Sequence, residues 1–335
     1  MALFSKDLGI DLGTFFLRVS DGGQIVLEQP TIAAIVIDEQ KMVAWGQEAQ
    51  NMYGKVPESL EINRPLFNGV IADYEVTEYM LEAVLRKVAG PMRLFRPRVM
   101  ITVPYGVTSV ESRAVHEAVL QAGSREAILI QQPLAAAIGV DLPIGTPSGN
   151  MILCLGGGAT QAAVMAMYGI VAADTLRAGG LSLDEAIVAY VRKKYGLIIG
   201  QLTAEKVKKK IGAAVPQDED KSIDLQGQDQ VTGLPRPATL TTGEVVEALQ
   251  EPLADIVDTA RRVLEKTPPE LVSDIIDRGV ALTGGGALLL GIDRLLTSEL
   301  GVPAYLVDNP TTCTALGALR GFSMYSLIRR NLIAV

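Results

Sequence analysis

The chain is poor in the residues that build metal and redox centres. It has one histidine, His116, and two cysteines, Cys154 and Cys313. A single imidazole excludes a multi-histidine metal site, and two cysteines give no disulfide framework. His116 falls on a helix-patterned stretch, where a surface or core place outweighs a catalytic one. No apolar run reaches the ~18 residues of a membrane span. The start, Met1-Ala-Leu-Phe-Ser-Lys6, is too short for the apolar region of a signal peptide. These absences together predict a protein of the reducing cytoplasm. A net charge of −8 runs against a nucleic-acid binder, which shows a basic face. One local run, Lys206 and Lys208 to Lys210, goes the other way; taken alone it reads as a solvated helix face.

What is present is a near-repeat. Residues 8 to 27 pass from Leu-Gly-Ile-Asp-Leu through a Gly-Thr turn, Phe-Phe-Leu-Arg-Val-Ser and Asp-Gly-Gly to Gln-Ile-Val-Leu. Residues 152 to 173 pass from Ile-Leu-Cys-Leu through a Gly-Gly-Gly turn, Gln-Ala-Ala-Val-Met-Ala-Met and Tyr-Gly to Ile-Val-Ala-Ala. Each reads as strand, glycine turn, strand, short turn, strand. Two copies far apart in 335 residues predict two related lobes, each opening on a β-meander.

Between the copies the period becomes helical. Val76, Met80, Leu81, Val84 and Leu85 recur at helical spacing, as do Val110, Ala114, Ala118 and Ala122. So do Val246, Leu249, Leu253, Ile256, Val257, Ala260 and Val263, with Pro252 predicting a kink or a helix start. Short apolar strands are expected at Val99–Val103 and Val280–Thr283, and the whole alternation predicts an α/β protein. The polar stretch 216–237 reads as a loop or a small exposed β-piece.

Three glycine turns offer backbone N–H groups that can cradle phosphate: Asp11-Leu-Gly-Thr14, Gly156-Gly-Gly-Ala-Thr160 and Thr283-Gly-Gly-Gly286. Any one alone is better read as a tight structural turn. Three in this order, two of them on matching meanders, predict a nucleotide gripped in a cleft between lobes.

This order of turns resembles the superfamily of actin, chaperones and sugar kinases, and several stretches resemble the MreB family within it. They include Asp7-Leu-Gly-Ile-Asp-Leu-Gly-Thr14, Gly69-Val-Ile-Ala-Asp-Tyr74 and Arg96-Pro-Arg-Val-Met-Ile-Thr-Val-Pro104. Pro133-Leu-Ala-Ala-Ala-Ile-Gly139, Pro147-Ser-Gly-Asn-Met151, Leu282-Thr-Gly-Gly-Gly286 and the more specific Leu264-Glu-Lys-Thr-Pro-Pro-Glu-Leu-Val-Ser-Asp-Ile-Ile276 belong with them. The likeness runs from about residue 7 to about residue 320. It implies an actin-like two-lobed fold of four subdomains with ATP or ADP and Mg²⁺ in the cleft. Subdomain IA would be 1–32, 66–145 and 312–335; IB, 33–65; IIA, 146–181 and 244–311; and IIB, 182–243. Members of this family form protofilaments that pair antiparallel on the inner face of the cell membrane and organise wall synthesis. The implied partners are further copies of the chain, the membrane, membrane-bound cell-shape proteins and a conventional MreB paralogue.

By the same resemblance Asp11 lies near the metal, and Gly13, Thr14 and Phe15 form the first phosphate turn. Gly156, Gly157 and Gly158 form the second, and Gly284, Gly285 and Gly286 the turn beside the nucleoside. Glu205 and Lys208 match a pair that contacts the nucleoside; at i, i+3 they share one helix face. A carboxylate there can accept from ribose hydroxyls while a lysine stem packs on the base. Read without the family, the same two residues are a surface ion pair.

The departures from the family pattern cluster on chemistry. Phe15 and Phe16 stand where a small residue and an asparagine are usual, so that the rings either narrow the pocket or point away from it. Gln131 and Gln132 precede Pro133, where the family has a glutamate that positions the attacking water. Glutamine can orient water but is a poor proton acceptor. Cys154 replaces an aspartate that helps hold the hydrated metal, Ala159 replaces a threonine that helps position water, and Leu181 replaces another acidic residue. General-base and water-positioning effects are each worth roughly 10²–10⁴ in rate, and Mg²⁺ prefers hard oxygen to thiol. The expected protein therefore binds nucleotide, holds Mg²⁺ weakly and hydrolyses slowly. An active ATPase filament using Gln132, and a scaffold that binds no nucleotide, stay open. A kinase would need a catalytic Asp facing a sugar pocket, and a chaperone a peptide-binding domain, whereas the sequence stops at Val335.

Two surfaces complete the expectation. Leu94-Phe95 between Arg93 and Arg96 suits insertion into an anionic interface, with Leu3 and Phe4 ahead of Lys6 as a second contact. Each apolar side chain adds only ~2 kcal/mol, so firm adhesion needs the repetition a filament supplies. The alternative is that Leu94 and Phe95 pack under the neighbouring sheet. Val110 matches the helix through which family protofilaments pair, with Glu111, Ser112 and Arg113 as a polar rim; an ordinary core helix is the other reading.

Overall fold

The computed structural model describes residues 6–39, 41–89 and 96–334. The membrane candidates Leu3, Phe4, Leu94 and Phe95 lie outside the described residues. Two five-stranded sheets carry the architecture. The first is built from β1 (Asp7–Leu12), β2 (Phe16–Asp21), β3 (Gln24–Pro30), β4 (Arg98–Val103) and β5 (Glu126–Gln131). The second is built from β6 (Asn150–Leu155), β7 (Thr160–Ala166), β8 (Gly169–Leu176), β9 (Val280–Thr283) and β10 (Ala304–Leu306).

Their spatial orders are β5-β4-β1-β2-β3 and β10-β9-β6-β7-β8, the same path through space twice. In each, the first three strands form an antiparallel meander and the last two join the leading strand in parallel. The repeat legible at residues 8–27 and 152–173 is thus a repeat of whole sheets. The leading strands explain their own sequences. Every residue of β6 is buried and all but the first of β1 are, as in strands covered on both faces. At the edge, β3 alternates exposed and buried positions, with one face in water.

Helices cover the sheets where the periodicity predicts them. The Tyr74–Ala89 helix buries Val76, Met80, Leu81, Val84 and Leu85. The Thr242–Lys266 helix opens on a capping box of Thr241 and Glu244 and buries all seven stripe residues. Pro252 sits inside that helix rather than at its start; burial of Leu249 and Leu253 on either side holds the turn that lacks its N–H donor. The expected stripe at Val110, Ala114, Ala118 and Ala122 is only half right. The Ser109–Gln121 helix buries Ser112, Val115, Ala118 and Val119, while Val110 is 77% exposed. Val110 sits in the first turn, beside the Thr108–Glu111 capping box, and the four-residue spacing drifts by ~40° a step around the helix, away from the buried face. The 216–237 stretch is mostly β-hairpin: Ser222–Asp229 pairs with Pro235–Thr241.

Three apolar clusters hold these layers. One fills the first lobe around Ile10, Leu81 and Ile101, and one the second around Leu153, Ile187 and Leu249. The third mixes both sheets, joining Met100 and Ile130 to Ile152, Ala163 and Ala281 around the Gln132–Gly139 and Cys313–Gly321 helices. Those two helices touch backbone to backbone. A Cβ on Gly317 would collide with the Ala135 carbonyl and sit 2.6 Å from Gly139 N. Both sheets therefore pack on one tight helix pair beneath the cleft. Among the described residues no helix is long and apolar enough to cross a membrane.

Candidate functional site

The two leading glycine turns are the same turn. Gly13 N–H donates to the Phe16 carbonyl at 3.1 Å and Gly156 N–H to the Ala159 carbonyl at 2.9 Å. In each, a Cβ on the first glycine would press on that same carbonyl oxygen, at 2.7 and 2.6 Å, so closure of the turn demands glycine. The other two glycines of the second turn are demanded by the first turn. A Cβ on Gly158 would collide with Thr14 Oγ1, and one on Gly157 would lie 2.5 Å from the Phe15 ring. The two hairpins thus face each other at contact distance. In the third turn, Gly284 has φ +85° and packs on the Leu155 backbone, while the space beside Gly285 is open. All three turns line one cleft of 880 Å³.

Phe15 lies against Gly157 on one side and under the Arg64 guanidinium, 4.2 Å from its ring centre, on the other. Phe16 begins β2, and Arg18 stands 5.0 Å over its ring. Both residues line the cleft. Burial holds Arg64 below the usual guanidinium range, and its Nε has no hydrogen-bond partner among the described residues.

The floor lies at the ends of β1 and β6, where Asp11 and Cys154 are equivalent. Asp11 is buried, and burial lifts its pKa against the opposing pull of Arg18 and of two hydrogen bonds. Those bonds come from Thr102 Oγ1 at 2.9 Å and Gln132 Nε2 at 3.3 Å. Cys154 is buried between Gln161 of β7 and Thr283 of β9, and burial pushes its thiol up to about 12. A thiol held protonated is a poor ligand for a hard cation. Ala159 is buried at the turn and brings no hydroxyl. Gln161, which the sequence reading passed over, is fully buried and donates through Nε2 to Gln132 Oε1. Its one signal in the sequence is an amide between Thr160 and the apolar run 162–166.

At the nucleoside end, Glu205 and Lys208 share a face of the Gln201–Ile211 helix and both line the cleft. They do not pair with each other. Glu205 binds Lys209 at 2.6 Å, and Lys208 binds the fully buried Asp184 at 2.7 Å and the Gly180 carbonyl at 2.6 Å. The basic run is thus partly a cleft wall, since Lys208, Lys209 and Lys210 all line it. Desolvation pushes Asp184 up to about 6 in spite of Lys208. Leu181 N–H and Gly180 N–H donate to the Gly157 and Gly156 carbonyls at 2.8 and 2.9 Å, so the start of the Gly180–Tyr195 helix, which carries Asp184, braces the second turn.

A nucleotide fits the lining, because all three glycine turns and the Lys208–Lys210 run border the same cleft, and the space beside Gly285 is open. A dedicated metal cage does not fit: among the described residues no group of three or more His, Cys, Asp or Glu is placed to hold a cation. Among the described residues, Asp11 is the carboxylate that stands on the floor beside Gln132 and Cys154.

On the outer face, the expected polar rim of Val110 changes. Ser112 is buried, and Glu111 is taken by Arg177 at 3.0 Å and by its cap on Thr108.

Two sheets of one topology, joined beneath a glycine-lined cleft, define the actin-like class of two-lobed proteins. A model of the MreB/Mbl protein family matches residues 5–329. The cell shape-determining protein MreB of Escherichia coli K12 is 44% identical over 331 residues, 97% of this chain and 95% of that protein. The cell shape-determining protein Mbl of Bacillus subtilis 168 is 44% identical over 316 residues, 94% and 95% of the two chains. The chain belongs to the MreB/Mbl family of actin-like cell-shape proteins. MreB5 of Spiroplasma citri, solved with ADP and with AMPPNP, superposes with a TM-score of 0.90 at 30% identity over 98% of both chains. The double helical filament of MamK, at 21% identity, shares the fold with a TM-score of 0.80 over 95% of this chain and 99% of that one.

Proposed function

We propose that this chain binds ATP or ADP in the cleft, polymerises, and hydrolyses its nucleotide slowly. Nucleotide binding is supported by the three bare turns and by MreB5, which is bound to ADP in one structure and AMPPNP in another. Polymerisation is supported by family membership and by the fold shared with filament-forming MamK. The filaments pair antiparallel through Val110, lie on the inner face of the cell membrane through Leu3, Phe4, Leu94 and Phe95, and support cell shape and wall-synthesis placement. The subdomains are those drawn above, with IB at 33–65 and IIB at 182–243.

The observation that carries slow hydrolysis is the state of Gln132. Its Nε2 is given to Asp11 and its Oε1 accepts from Gln161. An amide cannot take the proton of an attacking water, and the two bonds of this one fix which way its oxygen points. Gly13, Thr14 and Phe15 on one side and Gly156 to Gly158 on the other hold phosphates through backbone N–H groups. Glu205 and Lys208 face the nucleoside, with Gly284 to Gly286 beyond it. A hydrated Mg²⁺ would meet Asp11 and would supply charge neutralisation between phosphates; Cys154 adds nothing to its hold.

Equilibrium binding of labelled ATP, repeated in EDTA, tests this. Saturable binding that loses less than about tenfold, ~1.4 kcal/mol, without the cation is expected. Absence of saturable binding would overturn the reading.

A further inference from the structure

The cleft floor carries a chain of hydrogen bonds whose direction is fixed at both ends. Tyr105 N–H, which can only donate, gives its proton to Gln161 Oε1 at 2.7 Å. Gln161 must then turn Nε2 toward Gln132, and it donates to Gln132 Oε1. Gln132 Nε2 is left to face Asp11 Oδ1, at 3.3 Å, a carboxylate that also accepts from Thr102 Oγ1. With a donor at one end and an acceptor at the other, two amides satisfy the chain in one orientation only. The chain also crosses between lobes. Gln161 stands on β7 of the second sheet, whereas Asp11, Tyr105 and Gln132 stand on the first sheet or just beyond its strands. Thr175 Oγ1 on β8 donates to the Tyr105 carbonyl at 2.8 Å, so the second sheet holds both backbone polar groups of Tyr105.

Building on the nucleotide reading above, we propose that Gln161 is a positioning residue that withholds Gln132 from the nucleotide. To orient a water toward phosphate, Gln132 has to turn its carbonyl oxygen to the nucleotide, and that oxygen is instead turned to Gln161, which takes one of its two lone pairs. Hydrolysis is then slow because the water-positioning oxygen is turned away, and not only because a carboxylate is missing. The substitution Gln161→Glu reverses the arrangement. One oxygen of the new carboxylate keeps the Tyr105 N–H; the other accepts from Gln132. The two N–H groups of Gln132 then serve that carboxylate and Asp11, and the Gln132 carbonyl oxygen is released into the cleft.

The test compares the full chain with Gln161→Glu, Gln132→Ala and the double variant, measuring ATP affinity and phosphate release at saturating ATP. Gln161→Glu should release phosphate at least about tenfold faster than the parent, with ATP affinity within about threefold. The gain should vanish in the double variant, a dependence that a merely structural Gln161 would not show. Hydrogen exchange at the Tyr105 amide, read without nucleotide, should be slow in the parent and in Gln161→Glu and at least about tenfold faster in Gln161→Leu. The proposal is overturned by a Gln161→Glu protein that binds ATP and releases phosphate no faster, or by a gain that survives loss of Gln132. Tyr105 exchange indifferent to Gln161→Leu would overturn it as well. A parent protein that binds no ATP would instead overturn the nucleotide reading. The Tyr105 exchange would then still decide whether Gln161 holds the chain.

Discussion

Alanine at position 158 should weaken ATP binding by wedging the two phosphate turns apart. The new methyl would collide with Thr14 Oγ1 and lie 2.9 Å from Thr14 Cβ and Cγ2. Thr14 cannot swing away cheaply, because it is buried and its Oγ1 accepts from Gly69 N–H at 3.0 Å. Overpacking of this kind costs roughly 1–3 kcal/mol of stability. The functional loss is separate. If the wedge takes one phosphate contact out of reach, about 1.5–3 kcal/mol of a charge-assisted hydrogen bond goes with it. That corresponds to roughly 10- to 100-fold weaker ATP binding. The control is Gly285→Ala in the third turn, where a methyl meets nothing within 4 Å; it should bind ATP as the parent does. Titration with labelled ATP, with urea unfolding of the same samples, separates affinity from stability. Parent-like affinity in Gly158→Ala would refute the facing-turn account.

Three further outcomes follow from the same structure. Asp184, lifted to about 6 from 3.8, binds its proton more tightly when folded, so its contribution to stability falls as pH rises from about 4 to about 6. At most about 3 kcal/mol rides on this, and urea midpoints of Asp184→Asn across that window should lack that part of the parent's decline; matching slopes would refute it. Gly317→Ala drives a methyl into the Ala135 carbonyl at the helix pair beneath the cleft, and should cost about 3 kcal/mol or more in urea unfolding; an unshifted midpoint would contradict that packing. Val110→Glu, at a 77% exposed site, should leave the subunit's stability within about 0.5 kcal/mol and convert paired filaments to single ones in electron micrographs; pairs that persist would remove Val110 from the pairing surface.

The sheet duplication was legible because glycine spacing is set by turn closure, which is local: Gly13 and Gly156 serve the same bond in the same turn. The helix stripes at Tyr74–Ala89 and Thr242–Lys266 were legible because burial follows the helical period over four turns or more. Val110 broke the pattern because a strict four-residue step drifts by ~40° each time around a helix of 3.6 residues per turn, which carries Val110 off the face that Ala118 and Ala122 bury. The cleft's glycines could be named from sequence, but not what its side chains do to one another. Lys208 answers to Asp184, a residue on another helix, and Gln132 to Gln161 on the opposite sheet. Both partners are polar groups that the fold buries, and a buried polar group needs a partner. That rule flags Asp184 and Gln161 but cannot say across what distance each is satisfied.

Phosphate release followed during assembly, with the same sample pelleted and imaged, tests the central claim most directly. The account predicts filaments that take up ATP and release almost no phosphate over many assembly times. Steady release in step with assembly would contradict it, and would mean that Gln132 is free to position water after all.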